Sequence, residues 1–316
     1  MMVILKKVVL FGCSSFIFCF SFAQIRWQPV VDDTLPRGLK LFKTKDSLNG
    51  RPFIAYYIEA NLKNHNLQFT TQVSNGIRFT PSQFYQQEGL PVVVVNGTFF
   101  SFETNQNLNV VIRDGKVLSY NIPALKSRTS DSFYYPTRSA IGITKNRRAD
   151  VAWLFTDTAQ RWPYAFQSRP IVAKGRTKDP SFGDLNTIDP WKWWKMRTAI
   201  GGGPVLVQEG RMNITNQEEQ MFVNGDADLH PRTAMGYTKK NKLIILVIQG
   251  RAPGQAEGAT LSEEAKILTD LNCYEALNLD GGGSSCMLVN GKETIKPSDK
   301  QGQRPTPAVF LIRSKK

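Results

Sequence analysis

Short apolar runs separated by polar turns dominate this chain. Extended segments are predicted at 53–58, 92–95, 109–112, 139–143, 151–155, 205–207, 233–237 and 243–248. Several alternate apolar with polar, whereas 243–248 is a continuous run of leucine and β-branched residues, which suits a strand covered on both faces. Asp114-Gly115, Glu209-Gly210 and Asn290-Gly291 each end a short apolar run and read as tight hairpin turns. One helix signal is clear. Thr260 and Glu263 form a capping box, and Leu261, Ala265, Leu268 and Leu271 then repeat at helical spacing. A shorter helix is predicted to start at Thr80-Pro81, with proline at its first position. Residues 160–197, rich in Pro, Trp and charge, read as an insertion or long loop. The fold class predicted is α+β: strand-rich mixed sheets with few helices.

The pattern also repeats. Arg138-Ser-Ala-Ile-Gly-Ile-Thr-Lys145 is echoed by Arg232-Thr-Ala-Met-Gly-Tyr-Thr-Lys239, 94 positions later. A hairpin signal precedes each copy, with Gly115 23 residues before Arg138 and Gly210 22 before Arg232. Two related half-units, packed into one domain around a central cleft, are expected from this.

The beginning of the chain reads as a targeting signal. Lys6 and Lys7 precede an apolar stretch, 8–20, and Ser21-Phe22-Ala23 offers a cleavage site, so secretion or a periplasmic location is expected. The expected organisation is a signal peptide at 1–23, a strand-rich N-terminal part at 24–89 and the main domain at 90–316. Cleavage would leave Cys273 and Cys286, room for one bridge at most. It would also lower the net charge from +14 to +12, since residues 1–23 hold two lysines and no acid. The basic residues are spread in pairs such as Arg147-Arg148 and Lys239-Lys240, a soluble basic surface rather than a nucleic-acid stripe. No membrane span and no nucleic-acid partner are expected.

Chemistry concentrates at Asn278-Leu-Asp280-Gly281-Gly282-Gly283-Ser284-Ser285. An apolar run delivers one carboxylate to three glycines and two hydroxyls, and consecutive glycines let a backbone approach a ligand and turn N–H groups toward an anion. No lysine follows, so this is no phosphate-binding P-loop, and Cys286 breaks the nucleophile-elbow pattern. Arg232 either grips an anion with two parallel bonds or makes a salt bridge. Asn96 either orients a hydroxyl or water, or simply ends a strand. Glu263 has a capping role that does not prevent it from facing a site. Trp191, Trp193 and Trp194 suit a sugar platform or packing. His65 and His230 are the two histidines and lie far apart, with no zinc spacing, so neither a metal nor a cofactor is expected.

Taken in order, Asn96-Gly-Thr-Phe-Phe, Gly201-Gly-Gly-Pro, His230-Pro-Arg-Thr-Ala-Met-Gly-Tyr, Gly250-Arg251, Thr260-Leu-Ser-Glu-Glu-Ala and Asn278-Leu-Asp-Gly-Gly-Gly-Ser-Ser resemble the phosphodiester glycosidase family. Pro297-Ser298-Asp299 and the apolar run 308–312 continue the likeness, which extends from about residue 90 onward. The resemblance implies a hydrolase that cuts the anomeric C–O bond of a sugar-1-phosphodiester, of the N-acetylglucosamine kind, releasing sugar and phosphomonoester. It implies catalytic roles for Asp280, Glu263, Arg232 and Asn96. Substrate-binding roles are implied for Asn278, Gly281, Gly282, Gly283, Ser284, Ser285, Thr233, Asn109, Gly202 and Arg251. The partner implied is a sugar-phosphodiester or phosphoglycan, and the chain reads as the catalytic module with a signal peptide. Two positions depart from the family pattern. Thr98 stands where Asn-Gly-Gly is usual, and Gln249 where Asp-Gly is usual. The alternative is a non-catalytic envelope glycan-binding protein on the same fold, which would need no carboxylate at 280.

Overall fold

The computed structural model describes residues 25–127, 130–170, 191–222 and 227–315, with the backbone of 173–175. The expected signal peptide and much of the expected 160–197 excursion lie outside the described residues. Among the described residues the fold is strand-rich, with two α-helices, Pro81–Gln87 and Leu261–Asp270.

Three sheets carry the architecture. The largest has eight strands in the order Gln28–Val30, Leu39–Thr44, Ala55–Asn61, Lys242–Ile248, Arg232–Thr238, Cys273–Asn278, Val205–Gln208 and Arg211–Met212. A seven-stranded sheet runs Lys192–Trp193, Tyr164–Phe166, Ala149–Phe155, Arg138–Ile143, Thr198–Gly201, Val111–Arg113 and Lys116–Ser119. The third has five strands, Lys292–Glu293, Met287–Val289, Val93–Asn96, Ala308–Ser314 and Leu67–Val73. The predicted N-terminal part is woven into these sheets: Ala55–Asn61 pairs along its length with Lys242–Ile248, and Leu67–Val73 with Ala308–Ser314.

Lys242–Ile248 shows why a continuous apolar run makes a central strand. Its alternate residues face two cores: Leu243, Ile245 and Val247 join the main one, and Ile244, Leu246 and Ile248 join the second. Each such buried side chain contributes about 2 kcal/mol. A charge at Ile245 would break the main core. The second core lies under Leu261–Asp270, whose Leu261, Ala265, Ile267 and Leu268 pack with Leu206, Val207 and Ala276. The predicted capping box forms at Thr260/Glu263, and the helix predicted from Thr80-Pro81 carries a second one, at Thr80/Gln83, that the sequence reading did not name. All three predicted hairpins turn through paired left-handed residues, with φ of 51° and 78° at Asp114-Gly115, 52° and 78° at Glu209-Gly210, and 49° and 77° at Asn290-Gly291. That is the geometry that matches strand twist.

The two halves of the sequence echo lie in different sheets, and their surroundings share an order. Arg138–Ile143 sits between Ala149–Phe155 and Thr198–Gly201, and Arg232–Thr238 sits between Lys242–Ile248 and Cys273–Asn278. Arg138 faces Leu154 across its hairpin as Arg232 faces Ile248. This is agreement in connectivity; two repeated half-units around a cleft remain our proposal. No described helix is long and apolar enough to cross a membrane. Cys273 and Cys286 are buried and unbridged.

Candidate active site

Four segments far apart in sequence meet at Asp280. The strand Cys273–Asn278 leaves its sheet and passes beside the end of Val93–Asn96, where the Asp280 N–H donates to Gly97 O at 3.0 Å. Asn96 locks this crossing. Its Nδ2 donates to Asp280 O at 2.5 Å, and its Oδ1 accepts from Thr233 Oγ1 and the Cys286 N–H, both at 3.0 Å. Asn96 and Thr233 are fully buried, so they position the loop from beneath.

A second buried layer stands behind the first. Asn109 Nδ2 donates to Gly202 O at 3.0 Å and Asn278 Nδ2 to Gly203 O at 2.9 Å. Asn109, Gly202 and Asn278, read as substrate contacts from the sequence, are thus placed in the packing between sheets. Asn278 Oδ1 and Ser285 Oγ are buried there without a hydrogen-bond partner.

Part of the N–H array of the glycine loop is used within the fold. The N–H groups of Gly282, Ser284, Ser285 and Cys286 are taken up by Pro231 O, Gly281 O, Gly282 O and Asn96 Oδ1. Gly282 and Gly283 also allow close approach of side chains. Gly282 sits at φ +60°, and a Cβ there would lie 3.0 Å from Arg251 Nη2. At Gly283 a Cβ would strike the Arg304–Asp299 ion pair. Two guanidiniums therefore lie against adjacent residues of the loop. Arg304 is held by Asp299 through Nε at 2.7 Å and Nη2 at 2.9 Å. Arg251 is exposed, and its Nη2 lies 3.3 Å from His230 Nδ1.

Asp280 is the carboxylate of this loop and retains partial access from outside. Burial pushes its carboxyl up to about 7, against the opposing pull of the Ser284 hydroxyl, the Arg304 guanidinium and the Gly281 N–H. A carboxyl poised near neutrality beside the Arg304 guanidinium suits acid, base or nucleophile chemistry. Burial lowers the His230 imidazole below its ordinary range, and Arg232 and Arg251 lower it further.

Arg232 and Glu263 are both engaged by groups of the fold itself. Arg232 is 3% exposed, with Nε bound to Ala259 O and Nη2 to Asp228 O, both at 2.9 Å, so its fork is largely engaged by backbone carbonyls. Glu263 closes its capping box with Thr260 and also binds Arg51 and Asn49. The neighbouring Glu264 is the acid coupled to Arg232. It is fully buried, both carboxyl oxygens lack a hydrogen-bond partner, and burial pushes it up to about 8 against the pull of Arg232. Sequence reasoning passed over Glu264 and Arg304. The signal for Glu264 was present, since a polar residue at the fourth position of a capped helix falls on the stripe with Leu261 and Leu268.

Of the tryptophans, Trp194 is packed, with Nε1 bound to Asp150 at 2.6 Å, whereas Trp191 and Trp193 are exposed around Tyr164. Gln249 is buried and accepts from the Lys296 N–H at 3.0 Å, and the Thr98 hydroxyl bonds Asn107. Both departures from the family pattern thus have local structural partners. A cavity of about 350 Å³ between Tyr120–Pro123 and Tyr135–Pro136 contains none of the loop residues.

Most of these segments lie in a part of the chain that resembles known proteins. Over residues 165–313 the chain matches the phosphodiester glycosidase family. The bovine N-acetylglucosamine-1-phosphodiester alpha-N-acetylglucosaminidase (Bos taurus) is 38% identical over 105 residues, which are 32% of this chain and 19% of that protein. The chain thus aligns with about a fifth of that relative's length. Two solved structures share the fold. A hypothetical protein from Synechocystis gives a TM-score of 0.68 at 15% identity, over 92% of this chain and 64% of the other. The catalytic domain of the zebrafish N-acetylglucosamine-1-phosphodiester alpha-N-acetylglucosaminidase, auto-inhibited by its pro-peptide, gives 0.56 at 22% identity, over 93% and 89%. Asp280, Glu264, Arg251, Arg232 and Arg304 all fall inside the span matched to the phosphodiester glycosidase family, and Asn96 falls before it.

Proposed function

We propose that this chain is a glycosidase that hydrolyses a sugar-1-phosphodiester at the anomeric C–O bond, releasing free sugar and a phosphomonoester. The observation that carries the reading is Asp280: one carboxyl, raised to about 7, beside two guanidiniums that lie on its own loop. Cleavage of a glycosidic bond develops positive charge at the anomeric carbon, which a carboxylate stabilises or attacks. It also develops negative charge on the departing phosphate, which Arg251 and Arg304 would meet. A phosphate monoester leaves readily, so a second acid at the reacting atoms is not required. Asp280 acts in its ionised form. Glu264, out of reach of any substrate, acts through Arg232 as a positioning residue beneath the loop. Action in a secreted or periplasmic setting belongs to the same proposal.

The test is hydrolysis of an N-acetylglucosamine-1-phosphodiester in oxygen-18 water. Label in the sugar at C1 supports C–O cleavage; label in the phosphate would make the protein a phosphodiesterase. Binding without turnover would favour a glycan-binding protein on this fold.

A further inference from the structure

The site does not end at Arg304. Outward from the glycine loop, the Arg304 guanidinium lies over the ring of Phe102, 5.3 Å from its centroid. Arg78 approaches the same ring at 5.5 Å and Phe100 at 5.1 Å, and the Phe100 and Phe102 rings are 4.8 Å apart. Phe102 is 64% exposed, although it sits in a well-made loop. Leu108 N donates to Phe99 O and Ser101 N to Gln106 O, both at 2.9 Å, and Thr98 bonds Asn107 across the loop base. The ring is exposed yet carries two guanidiniums and a second ring, a joined surface on which a further flat group can stack. Among the described residues Arg78 forms no ion pair, so its charge is available.

We infer that Phe102, Arg78 and Arg304 form a subsite for the leaving group, and that this group is a nucleoside phosphate. The inference rests on the proposed cleavage only for the direction in which the substrate lies. A flat base stacks on the aromatic and guanidinium surfaces, which accept any base through its π-face. Arg78 shares the Phe102 ring with Arg304 and supplies a second cation for the phosphomonoester dianion that departs. A sugar phosphate would meet the same cations but has no flat π-face to lay on the ring and the two guanidinium planes. Thr98, one of the two departures from the family pattern, fixes the loop that carries Phe102, and Phe102 and Arg78 both lie before the matched span 165–313. Two of the three subsite residues, Phe102 and Arg78, thus come from the N-terminal half of the chain.

Calorimetric titration with uridine monophosphate and with methyl phosphate tests this directly. The wild-type protein should bind the nucleotide at least about ten-fold more tightly. In Phe102→Ala and in Arg78→Gln the ratio should fall to within about three-fold. Circular dichroism confirms folding, which truncation of an exposed ring should not disturb. Equal binding of both probes by the wild type, or a ratio preserved in both variants, overturns the subsite. Turnover of methyl N-acetylglucosamine-1-phosphodiester is read separately. Its absence beside a clear nucleotide preference removes the proposed reaction and leaves the subsite standing.

Discussion

Two glutamates in this protein are fully buried, and their surroundings are opposites. Glu219 accepts five hydrogen bonds: from the N–H groups of Ser139 and Val205 at 2.9 and 2.8 Å, the hydroxyls of Ser139 and Thr215 at 2.7 and 2.6 Å, and Trp153 Nε1 at 3.1 Å. It ties the seven-stranded sheet to the eight-stranded one. Glu264 accepts none, and its counter-charge, Arg232, is engaged elsewhere by backbone carbonyls. A buried acid with every lone pair met is part of the scaffold. One left without donors costs stability, and such a cost is expected to persist where function needs it. The same contrast separates the satisfied carboxamide of Asn96 from the raised carboxyl of Asp280.

Four variants probe that contrast. The largest effect on turnover belongs to Asp280→Asn, which should lower kcat by about 10³-fold in a sugar-release assay while leaving the melting temperature unchanged or higher. Glu219→Ala should do the reverse. Orphaning five buried donors should cost about 4 kcal/mol and lower Tm by about 10 °C, with the activity of the molecules still folded largely kept. Glu264→Gln should reduce kcat/KM by about ten-fold, with a Tm shift below about 3 °C; a large loss of stability would place Glu264 with Glu219 as scaffold. Rescue by Glu264→Asp is expected to be partial.

The smallest effect is on the pH dependence of Tm. Asp280 and Glu264 both hold their protons more tightly folded than unfolded, with folded values of about 7 and about 8 against ordinary values of 3.8 and 4.5. The native state therefore binds more protons between about pH 4 and pH 8, and stability falls as pH rises through that window. The double variant Asp280→Asn/Glu264→Gln should flatten this slope in a calorimetric series; an unchanged slope would remove the two carboxyls as its source.

Local signals carried much of this in the sequence. The hairpins at Asp114-Gly115, Glu209-Gly210 and Asn290-Gly291 were legible because a left-handed pair favours Asx and Gly. The helix Leu261–Asp270 was legible from its capping box and apolar spacing, and the strand Lys242–Ile248 from a short unbroken apolar run. Leu67–Val73, with Gln68 and Gln72 among its core residues, was not, because a half-polar strand has no strong pattern until its partners are known. Asp280 and its glycines stood out as a motif, but the use of those glycines did not. Whether a glycine presents N–H groups or makes room for a guanidinium depends on Arg251 and Arg304, which reach the loop through the fold. The exchange of Glu263 for Glu264 has the same origin. Helical phase placed one at the cap and the other on the core-facing stripe, and only tertiary packing set Arg232 opposite it.

The strand Ala308–Ser314 lies inside its sheet, between Leu67–Val73 and Val93–Asn96, with Val309 registered against Asn96. It is also the last described strand to leave the ribosome. Until it inserts, the strand bearing Asn96 lacks one of its two neighbours, and the clasp between Asn96 and Asp280, 184 residues apart, has no fixed base. Loop closure over that distance comes late in folding. Competence would then wait on the docking of this one strand, and on refolding from denaturant the recovery of activity would time its insertion beside Asn96.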